Sequence, residues 1–530
     1  MSAIIRFVIV VVFLSAASCG GGDTPQKTWP GDTVWTMTLS ASPLPAGTPA
    51  GVTSMSNCPG GKDYCIQISA DATNNNVRAT AIPVDLTPFR GMNVKVECAI
   101  KAEGVTPTVI TGNGVKCMLS YTSATLGTKN INVGTPYGTF DWTNFASNRT
   151  TIAPDATNGV FYIGFQDTKG TAWVTDIHLT MWRPAIDPNA PPMVRGHVPL
   201  RGVMSPASRW GNAINTTPIN TSTIDSDFVD LQSWKANLIR FQFGGLNDDQ
   251  LLAMDAAAYD AWVDAHLPVL DAALADAQKR GVKVVIALFS IPGGREADFN
   301  YRIFFDKGYQ ATFLATWQKL ATRYKGNPAV FAYDLWNEPT RRKPLLAGWP
   351  DAQGLQEQAA ALIRAIDPDT PICFETDDDI NSIIPVKTTH AIYEFHVYAP
   401  SVFTHQGVGG RAYGGVSYGD VVEGAPLNKA WLRAYLQPIR NFQLAFRVPV
   451  YIGEFSAVRW APGAAGWLTD NSSLFDEYGW DWTYHAFREY DGWDLEMVNL
   501  PYGGTPTLSA TPTDRMTAIR YWLDQNTSPY

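Results

Sequence analysis

Eight short β-type runs alternate with helical stretches over the last two thirds of the chain, and no other feature limits the fold as much. The runs cover residues 200–204, 237–243, 282–289, 330–336, 372–376, 391–397, 448–453 and 492–498. Between them, a stretch such as 259–280 repeats Trp262, Leu267, Leu270, Leu274 and Ala277 at helical spacing, and Gly281 follows as a stop signal. Strand and helix alternating eight times predicts a (β/α)8 barrel, an α/β fold in which helices cover a closed parallel sheet. In such a barrel the chemistry collects where the strands end.

The segment before the barrel reads differently. From 29 to 184, short β runs are separated by Gly, Asn, Thr and Pro turns. Residues 94–100 alternate as a half-buried strand, and 160–165 form a more apolar one. This predicts an all-β sandwich. Its last run, Gly170-Thr171-Ala172-Trp173-Val174-Thr175-Asp176-Ile177-His178-Leu179, resembles the closing strands of jelly-roll carbohydrate-binding modules. The resemblance implies glycan binding; a spacer that steadies the barrel is the alternative. The Pro-rich stretch 185–192 marks the boundary, with the barrel at 193–530.

The amino terminus carries one early charge, Arg6, then an apolar run and Ala16-Ala17-Ser18 before Cys19. Residues 1–18 read as an export signal, too short for a membrane span. Cys19 stands as in a bacterial lipoprotein box, and 19–28 form a Gly-rich tether. The expected location is the cell surface or outer membrane, or otherwise the periplasm or medium. Export makes disulfides the default for Cys58, Cys65, Cys98 and Cys117. Of three connectivities, Cys58 with Cys65 and Cys98 with Cys117 is the most local. Cys373 reads as a buried apolar residue. A net charge of −9 argues against a nucleic-acid partner, which needs a basic surface. A neutral polysaccharide or oligosaccharide is the expected substrate, acted on by a monomer with no cofactor and no metal.

Two segments carry the chemistry. Asp334-Leu335-Trp336-Asn337-Glu338-Pro339 and Tyr451-Ile452-Gly453-Glu454-Phe455-Ser456 are apolar runs that each reach a carboxylate near a strand end. Pro339 cannot continue a paired strand, so Glu338 is expected to face a cleft. Two such glutamates suit a glycoside hydrolase, one protonating the leaving oxygen and one attacking the anomeric carbon. Asn337-Glu338-Pro339, Ile452-Gly453-Glu454-Phe455, Arg240 within Asn237–Phe241 and the pair His396 and Tyr398 resemble, in order, the motifs of glycoside hydrolase family 5. The resemblance implies Glu338 as acid/base and Glu454 as nucleophile on strands four and seven, with retention of configuration. Arg240 and Tyr398 would keep Glu454 charged, Asn337 would bind the sugar 2-hydroxyl, and His396 would orient Glu338 or the substrate.

Two positions depart from the family pattern. Phe289 stands where the strand-three histidine is usual, and Glu496 where a strand-eight sugar platform is expected. Trp493 or Glu496 would serve in its place. His485 reads as a structural residue on a helix. The glycine-rich loop 401–426 is expected to wall the site, and Trp210, Trp349 and Trp460, which follow strands one, four and seven, are candidate platforms. Within the enzyme class, endo-β-1,4-glucanase leads β-mannanase, xylanase and exo-β-glucosidase. A non-catalytic polysaccharide-capture lipoprotein is the reading from outside that class.

Overall fold

The computed structural model describes residues 44–530 and the backbone of Thr33–Thr38, apart from short stretches at 75, 92, 109–111, 148–149, 184–195, 208, 212–220, 298–299, 342–348, 376–384 and 500. The export signal, Cys19, the tether and the 185–192 boundary lie outside the described residues. The contacts divide the chain into two units.

The amino-terminal unit is built from two antiparallel sheets. One holds Val52–Cys58, Lys62–Ala70, Gly170–Arg183, Asn93–Val105 and Gly138–Ala146; the other holds Arg78–Val84, Thr157–Gln166, Gly114–Ser123 and Gly127–Asn132. Alternate residues of both, among them Ile66, Ile100, Leu119 and Phe161, meet in one apolar core, as the period-two patterning requires. Cys58 and Cys65 close a disulfide where the first two of these strands turn. The expected second bridge is not formed. Cys98 and Cys117 sit on different sheets and remain buried free thiols. The two thiols are nonetheless neighbours across the core, where burial and Cys117 together push the Cys98 thiol well up, but no S–S bond joins them.

The second unit contains the closed parallel barrel. Its strands are Arg201–Met204, Leu238–Phe243, Lys283–Leu288, Val330–Asp334, Ile372–Glu375, Ala391–Val397, Val450–Phe455 and Asp481–Tyr484. Seven of these coincide with the runs expected from sequence, and the eighth does not. Residues 492–498 form turns after the barrel has closed. The helix Ala256–Arg280 opens on an Asp255 cap and stops at Gly281, whose φ of 71° is left-handed. Its buried face includes Trp262, Leu270, Leu274 and Ala277. Among the described residues no helix is long and apolar enough to cross a membrane.

Candidate active site

The barrel interior is layered, and the layering places the site. Leu238, Val285, Ala332, Cys373, Ile392 and Tyr451 form an apolar plug, which gives the buried Cys373 its place. Side chains on a strand face the same way at every second residue. The next inward positions on four of these strands are therefore Arg240, Asp334, Glu375 and Glu394. Their exposures are 0%, 0%, 5% and 0%, so one guanidinium lies among three carboxyls beneath the site. A register shift between strands six and seven then sets His396 opposite Glu454. Gly453 has to be glycine, because a Cβ there would run into the Glu394 carboxylate.

Arg240 organises this layer. Its Nη1 donates to Glu454 Oε1 at 2.7 Å, its Nε to Asp334 Oδ2 at 2.8 Å and its Nη2 to Asn337 Oδ1 at 3.1 Å. Glu394 pairs with it at 3.1 Å. Phe289, in the place of the expected histidine, lays its ring 4.8 Å from the guanidinium carbon, a cation–π contact. Burial, reinforced by the charge of Glu394, pushes Asp334 and Glu375 well above the usual carboxylate range. Removing Arg240 strands the remaining charge in a desolvated layer. Arg240→Met should therefore cost about 3–5 kcal/mol of stability, measured by urea unfolding at neutral pH. A loss below about 1 kcal/mol would mean that the carboxyls need no cation.

Glu454 is 4% exposed and its two oxygens are fully engaged. Tyr398 Oη donates to Oε2 at 2.6 Å while Arg240 holds Oε1. Burial alone would raise its pKa, but the positive charges of His396, His485 and Arg240 outweigh it and hold the carboxyl well below its ordinary value. Glu338 is placed differently. It follows the fourth strand with a left-handed φ of 47°, a strained backbone for a side-chain-bearing residue, and its carboxyl is 41% exposed toward the cleft. Its N–H donates to Glu375 Oε2 at 2.9 Å, and its Oε1 lies 3.0 Å from His396 Nδ1. Oxygens of Glu338 and Glu454 approach within 4.8 Å of each other, with His396 between them.

The outer residues divide. Trp493 stacks on Tyr398 with centroids 5.9 Å apart and an interplanar angle of 29°, which brings it to the site. Glu496 does not reach the site: both its oxygens bind Arg488, at 2.6 and 2.9 Å. Trp210 is fully buried, stacked on Phe228 and bonded through Nε1 to Asp227, so it is core and not a platform. Trp460 is half-buried, with Nε1 donated to the Gln406 carbonyl, and Trp349 is half-buried with the Lys307 ammonium over its ring. The loop after strand six reaches inward, because His405 packs 4.9 Å from the Tyr398 ring and 5.1 Å from Trp493.

Sequence reading missed four groups here: Asp334, Glu375, Glu394 and His485. A carboxylate inside an apolar run was the available signal for the first three. His485 corrects a specific expectation. It lies in a bend directly after the true eighth strand, not on a helix, and it enters the site. Its Nδ1 is 2.7 Å from Tyr398 Oη and 3.1 Å from Glu454 Oε2, and its Nε2 is 3.2 Å from Glu489.

The chain is similar to several known proteins. The family described as cellulase, glycosyl hydrolase family 5, matches residues 197–491. Endoglucanase C of Acetivibrio thermocellus is 27% identical over 268 residues, 44% of this chain and 75% of that protein. Cellodextrinase A of Ruminococcus flavefaciens is 30% identical over 138 residues, 24% of this chain and 40% of that protein. Among solved structures, Cel5A of Thermotoga maritima in complex with cellobiose shares 21% identity at a TM-score of 0.45, covering 61% of this chain and 97% of its own.

Proposed function

Since the chain belongs to glycosyl hydrolase family 5, the cellulase family, we propose that it is a retaining endo-β-1,4-glucanase acting on plant-type β-glycan. The separation of the two glutamates carries the mechanism. Carboxyl groups about 5–5.5 Å apart suit direct attack, whereas an inverting pair needs about 6.5–9.5 Å to admit water. Oxygens of Glu338 and Glu454 lie within 4.8 Å.

Glu454 attacks the anomeric carbon from below while the glycosidic C–O bond breaks. Glu338 gives its proton to the departing oxygen, and a glycosyl ester on Glu454 results. Glu338, now a carboxylate, takes a proton from water, whose oxygen attacks the same carbon and frees Glu454. Arg240 and Tyr398 hold the nucleophile charged and aimed. Asn337, oriented by Arg240, offers its amide to the sugar 2-hydroxyl. Trp493 presents the apolar face for the ring.

Glucan is favoured because Endoglucanase C aligns along 75% of its length. A panel of cellulose, β-glucan, mannan and xylan with product sizing tests this. Mixed oligosaccharides from a β-1,4-glucan are the expected result, and monosaccharide alone would favour exo action.

The amino-terminal unit suits a role in holding glycan. The outward face of its four-stranded sheet carries a groove of about 580 Å³ lined by Lys116, Met118, Asn130, Asn132, Tyr162 and Gln166. Side-chain amides both donate and accept, as sugar hydroxyls require, and Tyr162 adds a flat ring. In full-length protein inactivated by Glu454→Gln, adding Tyr162→Ala and Asn130→Ala should lower retention on amorphous cellulose about tenfold. Neither groove substitution should slow hydrolysis of a soluble aryl glycoside by the active enzyme. Equal retention would favour the spacer reading.

A further inference from the structure

Tyr398 has a single hydroxyl hydrogen and two close neighbours, Glu454 Oε2 at 2.6 Å and His485 Nδ1 at 2.7 Å. An ionised carboxylate only accepts, so the hydroxyl hydrogen goes to Glu454. The contact with His485 is then favourable only if Nδ1 carries a hydrogen, which it shares with Tyr398 Oη and with Glu454 Oε2 at 3.1 Å. The reverse arrangement, with Tyr398 donating to Nδ1, would face lone pairs to lone pairs along both contacts with Glu454. On the far side of the ring, Nε2 meets the Glu489 carboxylate at 3.2 Å, again an acceptor. Both ring nitrogens therefore need hydrogens.

We propose that His485 is a positioning residue for the nucleophile, a doubly protonated imidazole strapped between Glu489 and the Tyr398–Glu454 pair. It fixes the direction of the Tyr398 hydroxyl and adds a third positive or donor contact to a carboxylate that Arg240 and Tyr398 already hold. The role rests on reading Glu454 as the nucleophile; the protonation state does not. The surroundings favour the cation. Burial opposes it, but Glu454 and Glu489 together push the imidazole up to about 10. Of the neighbouring histidines, His405 is held down to about 4 by burial and by Arg411 and adds no positive charge near neutrality, whereas His396, 3.8 Å from the same Glu454 oxygen, is a second cation on that carboxylate. The Trp493 ring, 5.0 Å away, covers the imidazole and limits its escape to water.

Two measurements test this. In full-length protein labelled with 15N-histidine, the His485 side-chain nitrogens, assigned by their loss in His485→Gln or their shift in Glu489→Gln, should both show protonated shifts at pH 8. A neutral-imidazole signature there would overturn the proposal. In kinetics, His485→Phe should lower kcat/KM about 10²-fold and move the acid limb of its pH profile upward by about one unit, because the nucleophile loses a neighbouring cation. Glu489→Gln should keep the acid limb within a few tenths of a unit of wild type and bring the alkaline limb down. Activity lost with the acid limb unmoved would overturn the positioning role. If Glu454→Gln stayed active while the imidazolium signature persisted, the nucleophile reading would fail and the protonation state would stand.

Discussion

Glu454→Gln should lower turnover of any β-glycoside substrate by roughly 10⁴-fold or more, equivalent to about 5.5 kcal/mol of transition-state stabilisation. The glutamine amide oxygen still accepts from Arg240 or Tyr398, so the variant should fold and its loss should be chemical. Every oxygen of the native carboxylate is engaged by these donors, and the buried carboxyls beneath it are committed elsewhere: Glu394 is sealed beneath Gly453, and Glu375 is tied to the Glu338 N–H. Azide added to Glu454→Ala should restore product of inverted configuration, since the anion occupies the vacated side of the anomeric carbon. Activity within about tenfold of wild type would remove Glu454 from the nucleophile's role.

Glu338→Ala should fail in a different way. Its loss removes proton delivery, which contributes roughly 10²–10⁴-fold. An unactivated oligosaccharide should show that full deficit. A dinitrophenyl glycoside, whose leaving group needs no proton, should form the glycosyl-enzyme at nearly the wild-type rate and then stall, giving a burst. Azide should now accelerate the second step and give product of retained configuration. The half-exposed carboxyl of Glu338, facing the cleft beside His396, suits a group that must meet both leaving oxygen and water. Identical behaviour of Glu338→Ala and Glu454→Ala across leaving groups would void both assignments.

The parts of the site that sequence reveals are those tied to local backbone rules. Pro339 forces the chain out of strand geometry next to Glu338, and the strand 450–455 is apolar except at Glu454. Arg240 is legible as a cation within an apolar strand. What stays hidden depends on barrel register. Asp334, Glu375 and Glu394 share a layer with Arg240 only once four strands from distant parts of the chain are aligned. The eighth strand is hard to read from sequence because Asp481–Tyr484 is four residues long and follows the helix Ala464–Tyr478 after a short turn at Gly479, whereas 492–498 mixes apolar and polar residues as a strand would. With the strand at Asp481–Tyr484, His485 stands at its end in the site, and the Glu496 carboxylate is committed to Arg488. Trp210 shows the limit of composition: an aromatic after a barrel strand fills the core here, with Asp227 taking its N–H.

Double displacement at Glu454 is the central claim, and the configuration of the first-formed product tests it most directly. Proton NMR during hydrolysis of a β-glycan substrate resolves the new reducing-end anomers before mutarotation mixes them. The β anomer should appear first and the α anomer only later, at the spontaneous rate. An α anomer formed first would mean single displacement by water and would contradict the account.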